Sequence, residues 1–203
     1  MIFHRIARAA EVLARWPAAD AVLSASEQAK VQSLRQPRDR DNAVAARLLV
    51  RELVREAGGG WRNVTVANVA DGPRRGSPYL ERSDLQVSLS HAGGWVAACV
   101  SDAVTGIDVV DTAQLALLRG AAAAVLTPGE RELVSGSLQL LARAWAVRET
   151  LVKCGIGALD DPGLDTSALL RANCQSGCLC GVKLRVGAGD GVVWAAGTVN
   201  AAN

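Results

Sequence analysis

The sequence predicts an α+β fold made of two similar halves, residues 1–104 and 105–203, packed as one unit. Three observations lead there. Helical periodicity and short β-like runs occur in both halves. Turn signals separate the runs closely enough for antiparallel pairing. Neither half alone holds enough apolar residues for much of a core, so each needs the other. No sequence repeat is evident, but the matching mix of elements suggests duplication.

Residues 24–57 read as helical, with Ser24 and Ser26 as candidate caps and Pro37 separating a first helix from a second. In the second, Ala43, Ala46, Leu49, Val50 and Leu53 recur at helical spacing, and Gly58, Gly59 and Gly60 end it. Strand-like runs follow at 64–69, 87–89 and 95–100, divided by Asp71-Gly72-Pro73 and Gly93-Gly94. The second half opens on a strand over 104–110. Helical patterns come next at roughly 112–124, 128–135 and 137–155, the middle one introduced by Thr127-Pro128-Gly129-Glu130. Residues 160–163 read as a loop. A hairpin over 182–186 and 192–199 closes the chain.

Composition narrows the function classes. Half of the 203 residues are hydrophobic, which argues for a packed core and against disorder. A net charge of +2 does not by itself call for nucleic acid. Arg35, Arg38, Arg40, Arg47, Arg51 and Arg55 crowd one segment. Asp39, Asp41, Glu52 and Glu56 dilute that charge, and no stacking aromatics accompany it, so no nucleic-acid partner is expected. No apolar run is long enough to span a bilayer, and residues 1–10 lack the apolar stretch of an export signal, so neither membrane insertion nor secretion is expected. Five cysteines without a small-scaffold pattern fit reduced thiols in the cytoplasm. Cys174, Cys178 and Cys180 cluster as C-x3-C-x-C, but a zinc site would want a fourth ligand, and thiols without a metal are the better reading.

Three pieces carry candidate chemistry. Ser90-His91 falls between two predicted strands. In Gly106-Ile107-Asp108-Val109-Val110-Asp111, Asp108 interrupts an apolar strand; a carboxylate there wants a cation, a helix N-terminus or a metal. Trp145, Glu149 and Lys153, at i, i+4 and i+8, line one helix face. From spacing alone, Glu149 and Lys153 fit a surface ion pair as well as a site. Taken together, a strand Asp and a helix Glu able to share Mg²⁺, with His and Lys to neutralise phosphates, point to a phosphorylated substrate.

Ser90-His91, Gly106-Ile107-Asp108 and Trp145-x-x-Arg148-Glu149-x-x-x-Lys153, in that order and spacing, resemble the 4′-phosphopantetheinyl transferases, and specifically their longer, Sfp-type branch. Gly76-Ser77-Pro78 stands where that family has a Gly-Lys/Arg-Pro turn, and residues 45–51 resemble its Arg-rich early helix. The resemblance spans roughly residues 20 to 160. It implies a pseudo-twofold pair of halves, each a small, mainly antiparallel sheet on helices, with the active site in the cleft between them. It also implies a monomeric enzyme that moves 4′-phosphopantetheine from coenzyme A to a serine of an acyl or peptidyl carrier protein. Asp108 and Glu149 would hold Mg²⁺, with Mn²⁺ as an alternative. Ser90, His91 and Lys153 would contact the coenzyme A phosphates, Lys30 the 3′-phosphate, and Gly76 to Pro78 the adenine. Glu149 would be metal ligand, base or both.

The chain departs from that pattern in four places. Val110 stands where the longer branch has Glu. Asn42 and Ser77 replace basic residues, and Arg148 replaces Lys, keeping charge with a different reach. Arg38, one turn before Asn42, is the expected substitute cation. The alternative expectation is a catalytically impaired homologue that only binds coenzyme A or a carrier.

Overall fold

The computed structural model describes residues 1–72 and 74–199; Pro73, part of the Asp71-Gly72-Pro73 turn signal, and residues 200–203 lie outside the described residues. The chain is mixed α+β, with small antiparallel sheets packed against helices, and divides into two compact units, the first Met1–Val104 and the second beginning at Thr105.

In the first unit the order is β1 (Ile2–Arg8), α1 (Ala9–Ala14), α2 (Ala19–Val22), α3 (Ala25–Gln32), α4 (Pro37–Glu56), β2 (Thr65–Asn68), β3 (Pro78–Glu81), β4 (Gln86–Ala92) and β5 (Trp95–Ser101). Ser24 caps α3 in a capping box with Glu27, and Pro37 takes the first turn of α4, where a missing N–H does no harm. Strand β5 is central, paired antiparallel with β1 and β4, and β2 pairs with β3 apart from them. The apolar face of α4, including Leu48, Leu49 and Leu53, packs on this sheet with Val87, Val96, Ala98 and Val100. Burying each such leucine is worth about 1.5–3 kcal/mol.

The second unit runs β6 (Thr105–Asp111), α5 (Leu115–Val125), α6 (Pro128–Val134), α7 (Leu138–Lys153), α8 (Ser167–Arg171), β7 (Ser176–Leu179), β8 (Val182–Gly189) and β9 (Val192–Val199). Its four-stranded sheet has the order β6-β9-β8-β7, all antiparallel. Val182, Leu184, Val186, Val193 and Ala195 pack with Ala142, Ala146, Val147 and Leu151 of α7. Strand β1 was not expected. Arg5 and His4 break its apolar alternation, and it owes its conformation to pairing with β5 along its whole length. The short elements α1, α2, α8, β3 and β7 were likewise not foreseen.

The two units share one wiring. In each, the opening strand pairs with the last strand, which forms a hairpin with the one before it. In each, a capping-box glutamate is buried and bonded to an arginine of the long helix. Glu27 takes Arg51 Nη1 and Nη2 at 3.1 and 2.6 Å and the N–H of Val66 at 3.1 Å. Glu130 takes Arg148 Nε and Nη2 at 3.1 and 2.6 Å and the N–H of Thr166 at 2.8 Å. The sequence signal was present: Ser/Thr-x-x-Glu, then Val-Arg-Glu, at 24–27 and 50–52 and again at 127–130 and 147–149.

No helix among the described residues is long and apolar enough to cross a membrane. The arginine-rich stretch is not a uniform basic surface, since Arg47 and Arg51 are buried.

Candidate functional site

The site starts from two glycines. Gly106 on β6 and Gly197 on β9 are register partners. A Cβ on Gly106 would lie 2.3 Å from the Thr150 carbonyl oxygen and 3.1 Å from Lys153 Cβ, and one on Gly197 would meet Thr150 at 3.2 Å. Thr150 Oγ1 donates to the Ala195 carbonyl at 3.0 Å. Helix α7 is therefore drawn tightly onto the β6–β9 pair. Gly106→Ala is expected to destabilise the second unit by about 1–3 kcal/mol, read as a lowered urea midpoint, because backbone and not a flexible tip must move.

That close approach brings α7 side chains to Asp108. Lys153 Nζ donates to Asp108 Oδ1 at 2.7 Å and to the Ile107 carbonyl at 3.0 Å. The Asp108 side chain is only 9 % exposed and that of Lys153 is 29 % exposed. Glu149 lies one turn before Lys153 and is half-buried. Burial first, and then the charge of Asp108, push its carboxyl above the usual range, and Lys153 opposes both. The second unit thus gathers Asp108, Glu149 and Lys153 in one place. Trp145, Glu149, Val152 and Lys153 are the positions between Leu141 and Lys153 that escape full burial, so the face marked by i, i+4, i+8 spacing is the accessible one.

The other predicted residues belong to the first unit. Ser90 is buried and His91 exposed near the end of β4. Lys30 is exposed in the last turn of α3. Gly76 has φ +85°, in the turn that leads to Pro78 at the start of β3. Asn42 is buried on α4, and its side-chain oxygen has no hydrogen-bond partner among the described residues. Helix α4 does run through Arg38, whose guanidinium lies 3.3 Å from where a Cβ on Gly94 would stand, beside the β4–β5 turn that follows His91.

One expectation about charge changes. Arg148 is not an accessible cation in the place of the family's Lys: it is wholly buried, bonded to Glu130 and donating Nη1 to the carbonyls of Leu159 and Asp161. Val110 shares the Asp108 face of β6, as strand alternation requires, but it packs into the core with Leu115 and Ala146. A third carboxylate there would be buried in apolar surroundings.

Among the described residues no three His, Cys, Asp or Glu side chains group to hold a metal ion, the exposed Cys174, Cys178 and Cys180 included. Asp108 and Glu149 are a set of two hard oxygen donors whose mutual repulsion a cation would relieve. That suits Mg²⁺, which commonly uses one or two carboxylates and completes its shell with water and substrate phosphates.

The first unit holds the same positions with the signs of the strand residue and the helix-end residue exchanged and the middle acid kept. Register places Arg5 of β1 where β6 has Asp108. Counting from the paired arginines Arg51 and Arg148, Glu52 corresponds to Glu149 and Glu56 to Lys153. Arg5 bonds Glu52 at 2.8 Å and Glu56 at 2.9 Å. Arg15 and Trp16 also donate to Glu52. Burial works to raise the Glu52 carboxyl, but these donors outweigh it and hold the group below its usual range.

No protein-family model matches the chain, and no curated protein sequence matches it.

Proposed function

We propose that the chain transfers 4′-phosphopantetheine from coenzyme A to a serine of an acyl or peptidyl carrier protein, releasing 3′,5′-ADP. The observation that carries this reading is the convergence of the nearly buried Asp108 of β6 with Glu149 and Lys153 on the partly exposed face of α7. The resemblance of the motifs that contain them supports it, with His91, Ser90, Lys30 and the Gly76–Pro78 turn as further coenzyme A contacts. The reading carries with it a pseudo-twofold pairing of the halves with the substrate between them.

In the reaction the serine oxygen attacks the β-phosphorus of coenzyme A. The bond from that phosphorus to the bridging oxygen breaks, and the serine proton must leave. The anhydride is already activated, so alignment and charge neutralisation do most of the work. Glu149, half-buried and next to Asp108 and Lys153, is the carboxylate placed to take the proton, as ligand, base or both. Lys153, whose ammonium rests on Asp108 Oδ1 and the Ile107 carbonyl at the end of a flexible, partly exposed stem, would orient phosphate oxygens. Magnesium, held by Asp108 and Glu149, would supply charge neutralisation at the diphosphate.

A second reading, binding of coenzyme A or a carrier without transfer, is favoured by Val110, core-packed where the family has a carboxylate, and by the engagement of Asp108 with Lys153. Incubation with Mg²⁺, coenzyme A and a panel of apo carrier proteins, followed by intact-mass measurement, separates the two. One added phosphopantetheine, lost in Glu149→Ala, supports transfer. Coenzyme A binding with no mass gain on any carrier supports the second reading.

A further inference from the structure

We propose that Lys153 is a placeholder for the divalent cation, so that metal and diphosphate enter the site together and the metal alone binds weakly; this rests on the transferase reading above. The ammonium already occupies Asp108 Oδ1 at 2.7 Å, anchored by the Ile107 carbonyl at 3.0 Å. Asp108 is nearly buried, where a charge needs compensation, and Lys153 supplies a positive partner in the resting site. A cation arriving alone must displace the ammonium or share one carboxylate with it, and either is opposed by repulsion between like charges a few ångströms apart.

An incoming diphosphate changes that balance. It brings negative oxygens to which the ammonium can move, freeing Asp108 for the metal. The geometry allows the exchange. Lys153 ends α7, its side chain is 29 % exposed, and its four-carbon stem swings without moving the backbone, which the Gly106–Thr150 contact holds in place. Lys153 is therefore a positioning residue for the metal before it is a partner of the phosphates. The lack of a third carboxylate sharpens the effect, since Val110 offers the metal nothing to bind while the lysine stays.

The test is a Mn²⁺ titration followed by the electron paramagnetic resonance of free Mn²⁺, with and without coenzyme A. In the unaltered protein Mn²⁺ alone should bind weakly and coenzyme A should tighten it at least tenfold. Lys153→Met should bind Mn²⁺ alone at least tenfold more tightly, and coenzyme A should then add little. Lys153→Arg, which keeps the charge, should restore weak binding of the metal alone. Unchanged or weaker Mn²⁺ binding by Lys153→Met, in a protein that does bind Mn²⁺ with coenzyme A, overturns the placeholder and leaves the transferase reading standing. If neither protein binds Mn²⁺ even with coenzyme A, the metal site itself is wrong and both fall.

Discussion

Arg148→Met is expected to destabilise the second unit by about 3–5 kcal/mol, the loss typical of a buried charge stripped of its partner. Arg148 and Glu130 are both fully buried and joined at 2.6 Å. Glu130 also accepts from Thr166 Oγ1 at 2.5 Å and from the N–H groups of Thr166 and Thr127, both at 2.8 Å. Without the guanidinium the carboxylate would remain among donors but with no positive charge. The pH dependence reads the same pair. Burial acts to raise the Glu130 carboxyl, but the bonds from Arg148, Thr166 and Thr127 outweigh it and lower the pKa from 4.5 to about 2. A folded pKa below the unfolded one means stability that is fully present above about pH 4.5 and lost as pH falls toward about 2. The amount is about 3 kcal/mol. Urea unfolding at pH 7 and pH 3 measures both effects. Glu130→Leu combined with Arg148→Met should recover much of the loss, because the uncompensated charge goes with its partner. A double variant no better than Arg148→Met would show that packing rather than charge governs this site.

Asp108→Asn is expected to lower transfer to carrier proteins on the order of 10²–10³-fold while leaving the unfolding midpoint nearly unchanged. Asparagine keeps the shape of the side chain and can still accept from Lys153, so the strand and helix have no reason to part. What it removes is the negative charge that would hold a cation and that raises the neighbouring Glu149 carboxyl. In the metal-free protein the Glu149 pKa should therefore fall in this variant, read by carboxyl NMR titration. An activity loss with an unmoved Glu149 titration would separate Asp108 from Glu149 and count against a shared site.

Much of the fold was legible because its signals are local. The apolar spacing along α4 and α7, the Ser24 and Thr127 caps and the Gly93-Gly94 turn all act within a few residues. Strand β1 was illegible because its partner is β5, some ninety residues on, and the charged Arg5 side chain reaches from it to Glu52 of α4. The site was half legible. Asp108 announced itself by interrupting an apolar strand, and Glu149 and Lys153 by sharing a helix face. That Lys153 reaches Asp108 depends on how closely α7 lies on Gly106, which no spacing reveals. Arg148 misled for the opposite reason. Its charge suggested a stand-in for the family's Lys, and only the packing of α6 against α7 shows it neutralised in the interior.

The mirrored ionic trios of the two units have a consequence for experiment. Arg5, Glu52 and Glu56 sit on the same kind of scaffold as Asp108, Glu149 and Lys153, with the strand and helix-end signs exchanged. The chain therefore contains its own internal control: one copy whose strand residue is itself a guanidinium bonded to the helix acids, and one whose strand carboxylate would, on the proposal above, trade a tethered ammonium for a guest. Backbone architecture supplies the address, and the polarity of a single strand residue decides whether anything can be delivered there.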